Sequence, residues 1–283
     1  MSDSSATLPR TIDVELVAAF TKDGAGGNPA GVVLEAAALS TVDRQRVATA
    51  VGAPETAFVE RAADGAFVVE FYTPTKQVPD CGHATVATFA LLARRGELAG
   101  TTAVKRTIIG DRAILLEGEH VFMEQPRPAV SPFGRTAEIA AALAIPADAI
   151  AAEPLVADHG VRFILVPTNR AALAAIVPNA PALQSLADEI DAIGFYVYAP
   201  GEDGYDATIR MFAPSYGIPE EPATGMAAGL LAGTLAQGRE TAAFRFLQGA
   251  LSPQPSPSEL LARVEPQRVL VGGTATPMRT LRV

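Results

Sequence analysis

The chain has 283 residues, 49% hydrophobic and 19% charged, a balance that excludes a disordered chain and leaves room for two cored domains. Its formal net charge is −9, and without a basic cluster nucleic acid is excluded as a partner. A single cysteine rules out an internal disulfide and fits a reducing, cytoplasmic setting, and no apolar run reaches the ~18 residues of a membrane span.

Residues Met1 to Arg10 are polar and lack the apolar core of a secretory signal, so a short mobile tail is expected. Thr11–Phe20 alternates as a strand does. After the Gly24-Ala-Gly-Gly-Asn28 turn, Gly31–Leu34 continues as a second strand. That glycine-rich turn has the wrong spacing for a phosphate loop and takes no nucleotide role. Ser40–Val51 carries valines at helical spacing between a hydroxyl cap and Gly52. Thr56–Arg61 and Ala66–Tyr72 form a hairpin about Ala63-Asp64-Gly65. From Gly82 to Arg95 nearly every position is apolar or small, which predicts a buried helix. Strands return at Lys105–Ile109, Ala113–Leu116 and His120–Glu124. The Pro-rich segment Gln125–Pro132 is the expected boundary, giving halves over residues 11–128 and 129–283.

The second half follows the same order. A strand is expected at Phe163–Val166, helical stretches at Arg170–Val177 and Pro181–Ile190, and strands at Phe195–Ala199 and Ala207–Phe212. A second buried helix runs from Ala223 to Gln237. Strands at Ala243–Gln248, Glu259–Val264, Arg268–Val271 and Met278–Val283 close the chain, with Ser252–Ser258 as an exposed loop. The pattern predicts an α+β fold of two similar domains, each a strongly curved sheet around one hydrophobic helix.

The duplication is visible directly. Tyr72-Thr-Pro-Thr-Lys-Gln-Val-Pro-Asp80 matches Phe212-Ala-Pro-Ser-Tyr-Gly-Ile-Pro-Glu220 without a gap, at a constant offset of 140 positions. Each string runs into a small-residue helix. Two helix N-termini meeting across a cleft could hold an anion and set acid–base groups on opposite faces of a small molecule.

At Asp80-Cys81-Gly82-His83, Gly82 allows close approach of a ligand to free amides, and His83 could donate a proton or orient a substrate. The same residues also fit a capped structural helix with a packed His and a buried Cys. At Glu221-Pro222-Ala223-Thr224-Gly225, Glu221 fits either an ordinary N-cap or a second polar group at the cleft. Glu55, between a helix end and the apolar run Ala57-Phe58-Val59, fits either an exposed loop acid or a partly buried carboxylate suited to carry protons. His83, His120 and His159 are scattered, without HExxH or paired-Cys spacing, so no protein-built zinc site is expected.

Five strings in order resemble the phenazine-biosynthesis (PhzF-like) isomerase family of the diaminopimelate epimerase superfamily. They are Gly27-Asn28-Pro29-Ala30-Gly31-Val32-Val33, Glu55-Thr56-Ala57-Phe58-Val59, Cys81-Gly82-His83-Ala84-Thr85, Gly160-Val-Arg-Phe-Ile-Leu-Val-Pro167 and the stretch from Arg210 to Gly225. The resemblance implies two barrel-like sheets, each around a central helix, with the active site between them. It also implies cofactor-independent acid–base chemistry on a small carboxylic acid, and a homodimer. Carried over by position, Glu55 is the proton-shuttling carboxylate, and His83 and Gly82 contact the substrate. Glu221 stands where the family usually has Asp, and Met226 where it usually has Ser. Asn28, Cys81, Gly82, Thr224, Gly225 and Met226 are the expected substrate-binding set, with Glu55, His83 and Glu221 catalytic.

The two departures point away from dihydrohydroxyanthranilate. They point toward a less polar unsaturated acid of specialised metabolism, such as an alkylproline-type intermediate. Epimerases of this fold use two cysteines, whereas here Cys81 stands alone, with Pro222 where the partner thiol would fall. Double-bond isomerisation is therefore favoured over an epimerase pairing Cys81 with Glu221, and over a non-catalytic acid-binding protein.

Overall fold

The computed structural model describes residues 11–283; the expected tail over residues 1–10 lies outside the described residues. The chain opens with β1 (Asp13–Ala19), β2 (Asn28–Val33), α1 (Thr41–Val51), β3 (Glu55–Arg61), β4 (Phe67–Tyr72) and β5 (Gln77–Val78). Next come α2 (Gly82–Arg94), β6 (Thr102–Thr107), β7 (Gly110–Glu117) and β8 (His120–Pro126). The second half has β9 (Ala129–Pro132), α3 (Thr136–Leu143), β10 (Leu155–Asp158), β11 (Arg162–Pro167), α4 (Arg170–Ala175) and α5 (Ala180–Asp188). It continues through β12 (Gly194–Pro200), β13 (Ala207–Ala213), β14 (Ile218–Glu221) and α6 (Gly225–Leu235). The last strands are β15 (Ala242–Gln248), β16 (Ser258–Val264), β17 (Arg268–Gly273) and β18 (Ala275–Arg282).

Strand pairing repeats. β1 pairs antiparallel with β2, β2 parallel with β3, β3 antiparallel with β4, and β4 parallel with β6; β6, β7 and β8 follow as an antiparallel meander. β10 to β17 repeat this series, from β10–β11 through parallel β11–β12 and β13–β15 to the β15, β16, β17 meander. β9 extends the second series by pairing with β10, and β18, the end of the chain, pairs with β1 at its start. β8 pairs with β17, so hydrogen bonds run continuously from one series to the other. The Pro-rich segment is thus no open linker: Gln125 is buried in β8, and Ala129–Pro132 forms a strand. Nor is the predicted Ser252–Ser258 loop wholly exposed: Ser258 is buried as the first residue of β16, and Ser256 Oγ donates to Gly27 O at 2.7 Å.

Helix α2 lies against β1, β2, β3, β8 and β18, and α6 against β10, β11, β15, β16 and β17. Every residue from Gly82 to Leu92 is buried, which accounts for a helix without a polar face. Gly225, Gly229 and Gly233, one turn apart on α6, let the first half approach. A Cβ on Gly229 would stand 2.0 Å from Gln125 Oε1, and one on Gly233 2.3 Å from Pro128 Cδ.

Helix α3 is not evident from the sequence because its N-cap, Arg135, makes no side-chain capping bond. The short strands β5 and β14 are likewise set by their neighbours β4 and β13. The predicted start of the second buried helix at Ala223 is corrected to Gly225, with Thr224 as N-cap; Glu221 ends β14 and is not the cap.

Candidate active site

The helix starts lie in register three residues beyond the offset that the repeat suggests. α2 begins at Gly82 behind Cys81, and α6 at Gly225 behind Thr224. The position matching Cys81 is therefore Thr224, not Pro222, and a hydroxyl stands opposite the thiol. The two helix starts meet: a Cβ on Gly82 would lie 3.5 Å from Met226 N, and Met123 Cε would crowd a Cβ on either Gly82 or Gly225. Glycine at both starts leaves room for Met123 between the two positive helix ends.

Between them opens a cleft of about 380 Å³ whose lining includes Glu55, Cys81, Gly82, His83, Glu221, Thr224, Gly225 and Met226. Glu55, at the start of β3, points its Oε2 to within 3.2 Å of His83 Nε2. The contact is close but poorly aligned, and both atoms are buried without a hydrogen-bond partner. His83 Nδ1 lies 3.7 Å from Glu221 Oε1 and 3.5 Å from Cys81 Sγ. His83 is thus flanked by the two carboxylates.

Asn28 sits beneath this cluster, fully buried. Its Nδ2 donates to Glu221 Oε1 at 2.9 Å and to Ala223 O at 3.1 Å, and lies 3.2 Å from His83 Nδ1. The expected substrate-binding residue is instead bonded to protein groups, outside the cleft lining. The second helix start is held by Gln248 of β15. Its Nε2 donates to Glu221 O at 2.8 Å and Thr224 Oγ1 at 3.1 Å, while its Oε1 accepts from Thr224 N at 3.2 Å and Tyr196 OH at 2.9 Å. Thr224 Oγ1 in turn donates to Glu221 Oε2. The first start is held by Asp80, whose Oδ1 accepts from Cys81 N at 2.8 Å and from buried Lys105 of β6 at 2.5 Å.

Burial pushes the Glu221 carboxyl above its ordinary range; His83 draws it down, Glu55 adds to the rise, and bonds from Thr224 and Asn28 oppose it. Burial also lifts the Cys81 thiol well above its usual value, reinforced by Glu55, Glu221 and Asp80. A thiol in that setting is a poor base. Glu55, Cys81 and His83 bring potential ligand atoms within 4.8 Å of one another. Cys81 faces ring atom Nδ1 and Glu55 faces Nε2.

The sequence missed the far wall. His159, which follows β10, lines the cleft with Arg112 and Gln125. His159 Nε2 lies 3.2 Å from Gln125 Oε1, and Gln125 Nε2 donates to Gly225 O at 3.1 Å. Burial lowers the His159 pKa. The histidines are therefore less scattered in space than in sequence: two of the three reach the cleft. The two repeated turns also touch near its rim, with Lys76 Nζ 5.3 Å from the Tyr216 ring centre.

The family model described as phenazine biosynthesis-like protein (PhzC-PhzF) matches residues 17–280. An uncharacterized isomerase of Deinococcus radiodurans is 37% identical over 295 residues, covering 96% of this chain and 94% of that protein. The trans-2,3-dihydro-3-hydroxyanthranilate isomerase of Pseudomonas aeruginosa is 32% identical over 260 residues, covering 88% and 89%. A crystal structure of the Bacillus anthracis phenazine biosynthesis protein of the PhzF family superposes with a TM-score of 0.90 at 25% identity, covering 97% of this chain and 99% of that one. The shared architecture is the diaminopimelate epimerase-like α+β class. By its matched length and its relatives, the chain belongs to the phenazine biosynthesis-like (PhzF) family of isomerases.

Proposed function

We propose that this isomerase moves a double bond in a small unsaturated carboxylic acid, with Glu55 as the proton carrier and no cofactor. The observation that carries the reading is the Glu55–His83 pair: two buried polar atoms 3.2 Å apart, each without a hydrogen-bond partner, beside the meeting helix starts. The substrate carboxylate docks on the amides near Gly82 and Thr224–Gly225. Glu55 takes the proton from an allylic C–H, and the electron pair spreads into the conjugated acid, where the helix ends offset its charge. The same carboxyl returns the proton to the far carbon on the same face, so the double bond shifts and Glu55 is ionised again. Glu221, its carboxyl lifted by burial, meets the substrate's polar group, and His83 keeps both acids in place.

The lifted Cys81 thiol and the hydroxyl of Thr224 opposite it favour this chemistry over two-base epimerisation. Met226 in the first turn of α6 offers an apolar surface where the family usually has a hydroxyl. This supports a substrate whose part beside Met226 is less polar than the corresponding part of the one named for the Pseudomonas aeruginosa relative. The reading extends to halves at residues 11–128 and 129–283, a homodimer, and a cytoplasmic role in specialised metabolism.

The test is Glu55→Gln with a panel of unsaturated acids that includes trans-2,3-dihydro-3-hydroxyanthranilate, followed by NMR for alkene migration. Wild-type turnover should fall on the order of 10²–10⁴-fold in the variant with the fold intact. Near-normal kcat in the variant would remove Glu55 from the mechanism.

A further inference from the structure

Arg112 of β7 stands directly opposite Lys105 of β6 in the antiparallel register, and both line the cleft. Like charges facing each other across a strand pair repel, and here one cation is fully buried. Asp80 neutralises Lys105 through the 2.5 Å contact. Arg112 has no such relief. Among the described residues it makes no ion pair, and its one hydrogen bond is from Nη1 to the backbone oxygen of neighbouring Asp111, at 2.9 Å. The acid at that end of the cleft, Glu124, is held by Arg268 at 3.4 Å. His159 nearby is no counter-charge: Gln125 spends its amide nitrogen on Gly225 O, so its oxygen accepts from His159 Nε2–H. Among the described residues, the other arginines without an ion pair, Arg46, Arg61, Arg94, Arg127, Arg239 and Arg279, lie outside this cleft. A half-buried guanidinium without an acid partner, set in a cleft of an otherwise acidic chain, lacks the anion that its planar donor fork fits.

We propose that Arg112 binds a second carboxylate of the substrate, making the preferred substrate an unsaturated dicarboxylic acid. One carboxylate occupies the helix starts, and the other meets Arg112 across the cleft. This rests on the isomerase reading for the position of the first carboxylate. It gives that site a specificity residue: Arg112 selects for charge at the end of the substrate remote from Glu55, and Met226 faces the apolar middle.

The experiment is calorimetric binding of two probes of equal chain length, pent-2-enedioate and pent-2-enoate, to wild type, Arg112→Met and Arg112→Lys. Wild type should bind the dianion at least about 10-fold more tightly than the monoanion. Arg112→Met should lose that preference while holding the monoanion within about 2-fold, and Arg112→Lys should keep part of it. A wild type without preference, or a preference that survives Arg112→Met, would overturn the proposal. Binding is read without turnover, so failure here leaves the role of Glu55 standing. Conversely, an active Glu55→Gln enzyme would leave the Arg112 subsite standing.

Discussion

Asn28 donates from Nδ2 to Glu221 Oε1 at 2.9 Å, tying the start of β2 to the end of β14 across 193 positions of sequence. The same nitrogen lies 3.2 Å from His83 Nδ1. Asn28 is therefore a positioning residue, through which the first half sets both His83 and Glu221.

Glu221→Gln separates the protonation of this acid from its shape. The raised carboxyl means that the folded chain keeps a proton at pH values where the unfolded chain has lost it. The resulting stabilisation is complete below the unfolded pKa and is lost as pH rises through the folded one. Glutamine has no proton to lose, so the Tm of the variant relative to wild type should climb as pH rises above the ordinary carboxylate range. A difference that does not change with pH would show that Glu221 titrates alike in both states.

Cys81→Ala should keep most activity, with a loss under about 10-fold, because the thiol is held protonated and its matching position is Thr224. A loss beyond about 10²-fold would make Cys81 a base and revive the epimerase alternative.

Gly229→Ala should lower stability by about 1–3 kcal/mol. Its Cβ would fall 2.0 Å from Gln125 Oε1 and force that side chain off both His159 and Gly225. Thermal unfolding measures it, and a variant as stable as wild type would mean that β8 and α6 are less tightly apposed than described.

Exhaustive chelation should leave the rate unchanged, since the proposed proton transfer runs through the Glu55 carboxylate alone. Loss of activity that zinc restores would instead make Glu55, Cys81 and His83 ligands.

Much of this was legible in the sequence because the duplication is nearly ungapped to Asp80 and Glu220. Glycine and small residues then marked both buried helices. The second helix start was misread because Glu221 and Pro222 imitate an acid-then-Pro start signal, whereas Glu221 pairs with Met211 as a strand residue. Arg112, Gln125, His159 and Gln248 carried no motif. Their direction depends on the pleat and pairing of strands joined across the whole chain, which local periodicity does not encode. Asn28 was found by resemblance, but its contacts needed Glu221 and His83 in place.

The most direct test of Glu55 as a single carrier is the fate of the proton. The early product of the unsaturated acid turned over in D₂O, analysed by mass and NMR, should hold less than one full deuterium at the new C–H position. A shielded carboxyl returns part of what it removed before exchanging with solvent. Full deuteration with inversion at Cα and an unmoved double bond would contradict the account.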